Sequence, residues 1–261
     1  MIGYRTDIDG LRAFSIIAVV IYHAFPALMP GGFVGVDVFF VISGYLITGI
    51  ILKSQAGDGF SAIEFYRRRI QRIIPALLLV MACCLLAGWW ILLPGEYVAL
   101  GKQTVASSLF APNILFWTEA GYFDTDSRLK PLLHLWSLGV EEQFYLVWPL
   151  LLLISFRLRL PAIAMVLALL LTSFWLNLFV TGDRAASFFL PQFRVWELLL
   201  GALLATLATR PTHPGLNNLA AMTGLMLLVT AVYAIDQKSR FPGWWALLPT
   251  LGATLLIFAG P

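Results

Sequence analysis

Residues 33–52, which read FVGVDVFFVISGYLITGIIL, form a mostly apolar run in which Asp37 is the single charged side chain. A helix of about 20 apolar residues is long enough to cross the hydrocarbon core of a membrane. The run therefore predicts a transmembrane helix. Its carboxylate needs a partner, because a charge inside a membrane is costly unless it is paired or hydrated.

The rest of the chain has the same character. Hydrophobic residues make up 60% of it and charged residues 12%, against about 25% charged residues in an average soluble domain. Apolar runs that are candidate spans occur at 11–25, 33–52, 73–93, 141–156, 161–180, 193–209, 218–235 and 244–259. The sequence thus predicts an all-α, polytopic transmembrane helical bundle of about eight spans, with residues 1–261 forming a single membrane domain.

The basic residues between the spans predict the orientation. The net charge is +3, but its carriers lie in short connecting segments, which is typical of membrane topology and not of nucleic-acid binding. If the N-terminus is cytoplasmic, one side receives Lys53, Arg67, Arg68, Arg69, Arg72, Arg157, Arg159 and Arg210. Residues 94–140 then face the outer side, and we expect residues 97–118 to form an amphipathic helix at the outer interface.

Arg12 and His23 are the first candidates for chemistry. They lie eleven residues apart, which puts them on one face of a helix and about 16 Å apart along its axis. The alternative is that Arg12 only anchors the helix and His23 is a packing residue. Histidine suits proton transfer near neutral pH, and Asp9 or Asp37 could orient His23 or pair with Arg12.

A second group of candidates is the arginine cluster that precedes Pro75. Arg69 and Arg72 are three residues apart, and Arg68 and Arg72 four, so in a helix they share one cationic face. Guanidinium groups match phosphate oxygens well, which suggests a phosphate clamp for a cytosolic cofactor. A cluster that only contacts lipid headgroups is the common alternative.

Two further groups of polar residues lie later in the chain. His134 precedes two adjacent carboxylates, Glu141 and Glu142, at the start of an apolar run. These carboxylates could hold a sugar or stabilise a cation. Arg194 and Glu197 are three residues apart and could simply neutralise each other. The spacing of ligand-type residues predicts no metal site, and the adjacent cysteines at 83 and 84 are expected to be packing residues.

Taken together, these motifs resemble the membrane acyltransferase-3 family. The resemblance follows the chain in order through YRTDIDGLRA at 4–13, His23, the run 32–45, the arginine cluster, HLWSLGVEEQFY at 134–145 and FRVWEL at 193–198. It implies that Arg12 and His23 are the essential catalytic pair. It also implies that Arg69 and Arg72 form an Arg-x-x-Arg motif that binds the cofactor, with Arg68 as a rival partner.

The same resemblance implies the reaction and its setting. Members of the family O-acylate, most often O-acetylate, lipid-linked or surface carbohydrates such as lipopolysaccharide O-antigen, exopolysaccharide or peptidoglycan, and they draw the acyl group from cytosolic acyl-CoA. We therefore expect an acyl-CoA donor, a carbohydrate acceptor and membrane lipids as partners, no nucleic acid, and the bacterial inner membrane as location. Because the resemblance implies about ten spans, the domain is expected to be incomplete at its C-terminus, without the periplasmic esterase-like domain of some members.

The sequence-based hypothesis is acyl transfer to a sugar hydroxyl, with His23 as general base or as transient acyl carrier. Asp9, Asp37, His134, Glu141, Glu142, Arg194 and Glu197 are its expected supporting residues. The rival hypothesis is a secondary transporter or flippase in which His23, Asp37 and Glu142 form a proton or substrate path. A membrane subunit without catalytic activity is the third possibility.

Overall fold

The structure is a computed structural model that describes residues 5–57, 59–120, 130–180, 182–207, 213–236 and 238–260. Two residues used in the sequence analysis, Tyr4 and Arg210, lie outside the described residues. The described segments fold into α-helices joined by short turns. In chain order these helices are α1 (Thr6–Ala24), α2 (Gly35–Ala56), α3 (Ala62–Ile91), α4 (Pro94–Ser108), α5 (Pro112–Glu119), α6 (Leu135–Arg157), α7 (Ala162–Trp175), α8 (Arg184–Phe189), α9 (Val195–Leu207), α10 (Pro214–Ala234) and α11 (Leu247–Ala259).

Five of the described helical segments are long and apolar enough to cross a membrane. They are Gly32–Ala56, Ala62–Ile91, Leu135–Arg157, Ala162–Val180 and Pro214–Ala234. The segments Val195–Leu207 and Gly243–Ala259 are shorter apolar helices, and α1 carries charged residues in its first two turns. Each of the eight apolar runs therefore has a helix, and the prediction of an all-α polytopic membrane bundle is confirmed.

The bundle is built around α2, which is buried along much of its length. Where α2 crosses α9, each helix presents a glycine to the backbone of the other: a Cβ added to Gly44 would lie 2.6 Å from the Leu198 carbonyl carbon, and one on Gly201 would lie 2.7 Å from the Tyr45 nitrogen. Small residues allow membrane helices to approach this closely. Gly35 similarly faces the backbone of α1.

Residues 94–119 differ from the sequence-based expectation. Instead of one amphipathic helix over 97–118, two helices meet in a sharp turn, because Phe110 adopts φ 52° and Pro112 cannot continue a helix. Helix α4 runs back along α3, with Tyr97 against Trp89 and Ser108 against Met81. Helix α5 then packs on α6. Helices α4 and α5 therefore form a V whose vertex lies between α3 and α6.

The two ends of the bundle are distinguished by the loops that meet there. At one end the α1–α2 turn joins the last turn of α10, since the Gly31 amide donates to the Val232 carbonyl over 2.8 Å. We refer to this as the His23 end. At the opposite end, the Arg5 end, the guanidinium of Arg5 donates to the Ile257 carbonyl near the end of α11 over 2.8 Å and to the Tyr45 hydroxyl over 3.1 Å.

Candidate functional site

His23 lies in the last turn of α1 with its side chain exposed. Its Nδ1 is 2.8 Å from the Val19 carbonyl oxygen, one turn earlier in the helix. A carbonyl oxygen can only accept a hydrogen bond, so Nδ1 carries the proton in this contact and the neutral ring keeps its lone pair on Nε2. The arrangement therefore presents an accessible basic nitrogen at the end of the bundle.

His134 lies close to His23 at the same end. It immediately precedes α6, and although part of its surface is exposed, the atoms packed around the ring lower the pKa of His134 by desolvation, with a smaller lowering by the charge of His23. A backbone hydrogen bond at Pro131 opposes both effects. The structure thus brings together two histidines that are 111 positions apart in the sequence.

Arg12 lies far from His23, in the second turn of α1 towards the Arg5 end. Its guanidinium is 3.7 Å from Asp9, and the two side chains are 29% and 45% exposed, so the pair contributes little to stability. Asp9 therefore faces Arg12 and does not orient His23. The expected separation of Arg12 from His23, about 16 Å along one helix, is retained because α1 runs from Thr6 to Ala24 without a break.

Asp37, Arg194 and Glu197 form a buried ionic cluster between α2 and the start of α9. One guanidinium nitrogen of Arg194 is 3.0 Å from Asp37 and another is 3.1 Å from Glu197, and all three residues are fully buried. Asp37 thus pairs with neither Arg12 nor His23, because Arg194 already neutralises it. The expected Arg194–Glu197 pair forms, but with a second carboxylate that sequence spacing could not reveal.

Four aromatic rings surround the buried guanidinium. The Arg194 Cζ atom lies 5.5–5.7 Å from the ring centroids of Phe40, Trp136, Phe188 and Phe241. These rings come from α2, α6, α8 and the segment before α11, so the cluster ties four parts of the chain together at the His23 end. Among the described residues, Asp37 is therefore engaged by Arg194 and lies behind aromatic rings.

The structure divides the predicted cationic face of α3. Arg67 and Arg68 both pair with Glu64, at 2.8 Å and 3.1 Å. Arg69 turns inward, with its Cζ 3.9 Å from the centroid of the Tyr145 ring. Arg72 is exposed, and within the described part of the chain it makes no ion pair. Of the three candidates for binding a phosphate, Arg72 is therefore the one with an unengaged guanidinium.

A polar cluster lies between α2, α3 and α6 beside Arg69. The Glu141 carboxylate accepts hydrogen bonds from the Ser43 hydroxyl and from the Tyr145 phenol. Among the described residues, Glu142 Oε1 is buried without a hydrogen-bond partner. Tyr145 could have been identified from its i, i+4 spacing to Glu141, whereas Ser43 could not, because only the tertiary fold brings it there.

The described residues contain no group of three His, Cys, Asp or Glu side chains that could hold a metal ion. Fold and site together define a polytopic helical membrane protein with an exposed imidazole base at one end and arginines at the start of α3. Comparison with known proteins then gives the family. The chain belongs to the acyltransferase-3 family, since residues 5–260 match the family described as "Acyltransferase domain", and the resemblance inferred from the motifs is confirmed.

Several curated proteins are similar to the chain. O-acetyltransferase OatA of Staphylococcus aureus (strain NCTC 8325 / PS 47) is 37% identical over 209 residues, which cover 77% of this chain and 34% of OatA. "Putative peptidoglycan O-acetyltransferase YrhL" of Bacillus subtilis (strain 168) is 36% identical over 256 residues, 91% of this chain and 40% of YrhL. An uncharacterised Haemophilus influenzae protein is 33% identical over 237 residues, 85% of this chain and 96% of that protein.

The chain thus spans between a third and two fifths of the length of the two named relatives. No solved structure matches the chain significantly. The prediction of an acyltransferase is confirmed at the level of the family.

Proposed function

We propose that the protein is a membrane-bound O-acyltransferase that moves an acyl group, most often acetyl, from cytosolic acyl-CoA to a hydroxyl of an extracytoplasmic carbohydrate. The observation that carries this proposal is the hydrogen bond from His23 Nδ1 to the Val19 carbonyl, which leaves Nε2 basic and exposed. A general base must offer such a lone pair to the hydroxyl proton that it removes. The printed name of one relative, "Putative peptidoglycan O-acetyltransferase YrhL", supports a carbohydrate acceptor.

The distribution of charge supports a donor on the cytoplasmic side. In the bacterial inner membrane, with the N-terminus of the protein in the cytoplasm, Lys53, Arg157 and the start of α3 lie on the cytoplasmic side. This placement agrees with the positive-inside rule. Arg72 would bind a phosphate of the donor, because its guanidinium is exposed and unengaged. Arg69, whose guanidinium lies against the Tyr145 ring, would add positive charge to the donor-binding site.

The proposed reaction uses the lone pair on His23 Nε2. His23 Nε2 accepts the proton of the acceptor hydroxyl while the hydroxyl oxygen attacks the thioester carbonyl. The new C–O bond replaces the C–S bond, and the proton passes to the departing thiolate. If His23 is instead an acyl carrier, the same lone pair attacks the carbonyl first and the acyl group then passes to the hydroxyl.

The test compares His23→Ala with His213→Ala in liposomes that contain the purified protein, labelled acetyl-CoA and a β-1,4-linked N-acetylglucosamine tetramer. His213 is an exposed histidine at the start of α10, near the Arg5 end, and serves as a control for the loss of an imidazole. We expect His23→Ala to lose at least about 100-fold in transfer rate, as loss of a general base does, and His213→Ala to stay near wild type.

Full transfer by His23→Ala would contradict the proposal. Uptake or export of the tetramer without consumption of acetyl-CoA would instead support the transporter hypothesis. Mass spectrometry of the quenched wild-type reaction separates the two roles of His23, because only the carrier route leaves acetyl on its ring.

A further inference from the structure

A continuous line of aromatic rings connects His23 to the buried ionic cluster. The His23 ring packs edge-on against Tyr22 at 5.1 Å between centroids, and Tyr22 packs against Phe33 at 5.3 Å. Phe33 packs against Phe241 at 5.0 Å, and the Phe241 centroid lies 5.5 Å from Arg194 Cζ. Tyr22, Phe33 and Phe241, which we call the aromatic platform, are all partly exposed.

Contacts with Arg194 and with α1 hold the aromatic platform in place. Phe241 rests on a guanidinium that is fixed by two carboxylates. Phe33 belongs to the turn Gly32–Val34, where a Cβ on Gly32 would lie 3.1 Å from the Ala18 carbonyl carbon, so that the turn packs against the backbone of α1. Rings that are already fixed lose little entropy when a ligand binds, which favours their use in recognition.

The edge of the aromatic platform is polar. The segment that leads into Phe241 carries Asp236, Lys238 and Arg240, and the last two side chains are exposed. The pKa of Asp236 is lowered, chiefly by a hydrogen bond from the Ser239 side chain, so the carboxylate stays ionised at neutral pH. A sugar offers C–H groups to a ring face and hydroxyls to polar neighbours, so aromatic rings bordered by charged side chains fit a sugar.

We propose that Phe33 and Phe241 form the surface on which a sugar ring of the acceptor stacks, beside His23 Nε2. This inference rests on the proposed function and names residues that would bind its acceptor. Stacking on the fixed rings would bring a hydroxyl at the edge of the sugar towards the imidazole. The charged side chains of the neighbouring segment would hydrogen-bond to the outer hydroxyls.

The test measures the KM of wild type, Phe241→Leu and Phe241→Tyr for the N-acetylglucosamine tetramer, with acetyl-CoA as donor. Leucine keeps an apolar side chain over Arg194 but removes the flat ring, and tyrosine restores the ring. We expect Phe241→Leu to raise the KM by roughly tenfold, since one aromatic contact of this kind is worth about that factor. Its kcat should stay within about twofold, because the base is untouched, and Phe241→Tyr should return the KM to near the wild-type value.

Trp90→Leu is the matched control, because Trp90 is 85% exposed at the end of α3 and contacts no residue of the aromatic platform among the described interactions. An unchanged KM in Phe241→Leu, an equal rise in Trp90→Leu, or a loss of kcat at unchanged KM would each overturn the inference.

Binding of the tetramer without donor, followed by tryptophan fluorescence, separates this inference from the proposed function. If wild type binds the tetramer more tightly than Phe241→Leu but transfers no acetyl, the aromatic platform is supported and the proposed function fails. If both transfer acetyl and bind the tetramer equally, the proposed function is supported and the aromatic platform is refuted.

Discussion

The crossing of α2 and α9 gives the sharpest prediction about stability. We consider Gly44→Ala and Gly201→Ala, which add one methyl group to either side of the crossing. The added Cβ of Gly44 would lie 2.6 Å from the Leu198 carbonyl carbon, and that of Gly201 would lie 2.7 Å from the Tyr45 nitrogen. Both obstacles are backbone atoms, so no side chain can rotate out of the way.

The cost can be worked out from these distances. Carbon atoms pack at about 3.5–4.0 Å, so either substitution must separate the two helices by about 1 Å. Overpacking of a well-packed core costs about 1–3 kcal/mol, and because backbone must move here we expect about 3 kcal/mol. For a chain of this size that lowers the Tm by roughly 6–12 °C. The double variant should cost less than the sum, since one separation accommodates both methyl groups.

Gly101→Ala in α4 is the matched control, because nothing lies within 4 Å of its added Cβ. Alanine is favoured over glycine in a helix interior by about 0.8–1.0 kcal/mol, so this variant should be slightly more stable than wild type. The assay heats each purified variant in detergent and measures the fraction that stays monodisperse. Equal Tm values for Gly44→Ala and Gly101→Ala would refute the argument that backbone contact holds α2 against α9.

Two further predictions concern individual charges. Because burial and His23 hold the pKa of His134 below its usual value of 6.5, the unfolded chain binds more protons than the folded one, so stability should fall as the pH drops below about 6.5. His134→Gln should flatten this decline in Tm between about pH 6.5 and 5, and an unchanged decline would refute the assignment. Arg72→Ala should raise the KM for acetyl-CoA by roughly tenfold, as expected for a lost charged contact. Arg68→Ala should change it by less than about twofold, because Glu64 already engages Arg68, and equal effects would contradict the division of the cationic face.

The sequence predicted the spans well because the membrane imposes a simple rule on them. A helix in lipid must be apolar over a fixed length, and this constraint is local. The V formed by α4 and α5 was not predicted, because its apolar pattern could be read as one helix. Only the left-handed backbone of Phe110 and the position of Pro112 separate the two.

The candidate site was predicted in part. Arg12 and His23 could be related by helix geometry alone, and the Arg194–Glu197 pair by its spacing. The partner of Asp37 could not be predicted, since 157 positions separate it from Arg194. The inward turn of Arg69 onto Tyr145 likewise depends on how α3 meets α6.

The long separation between Asp37 and Arg194 has a consequence for biogenesis. A ribosome adds about 5–20 residues per second, so the 157 positions between them correspond to roughly 8–30 s of translation. During that interval α2 has entered the membrane with a carboxylate whose counter-charge has not yet been synthesised. Synthesis of Arg194 at the start of α9 is therefore the event that supplies the Asp37 carboxylate with its counter-charge.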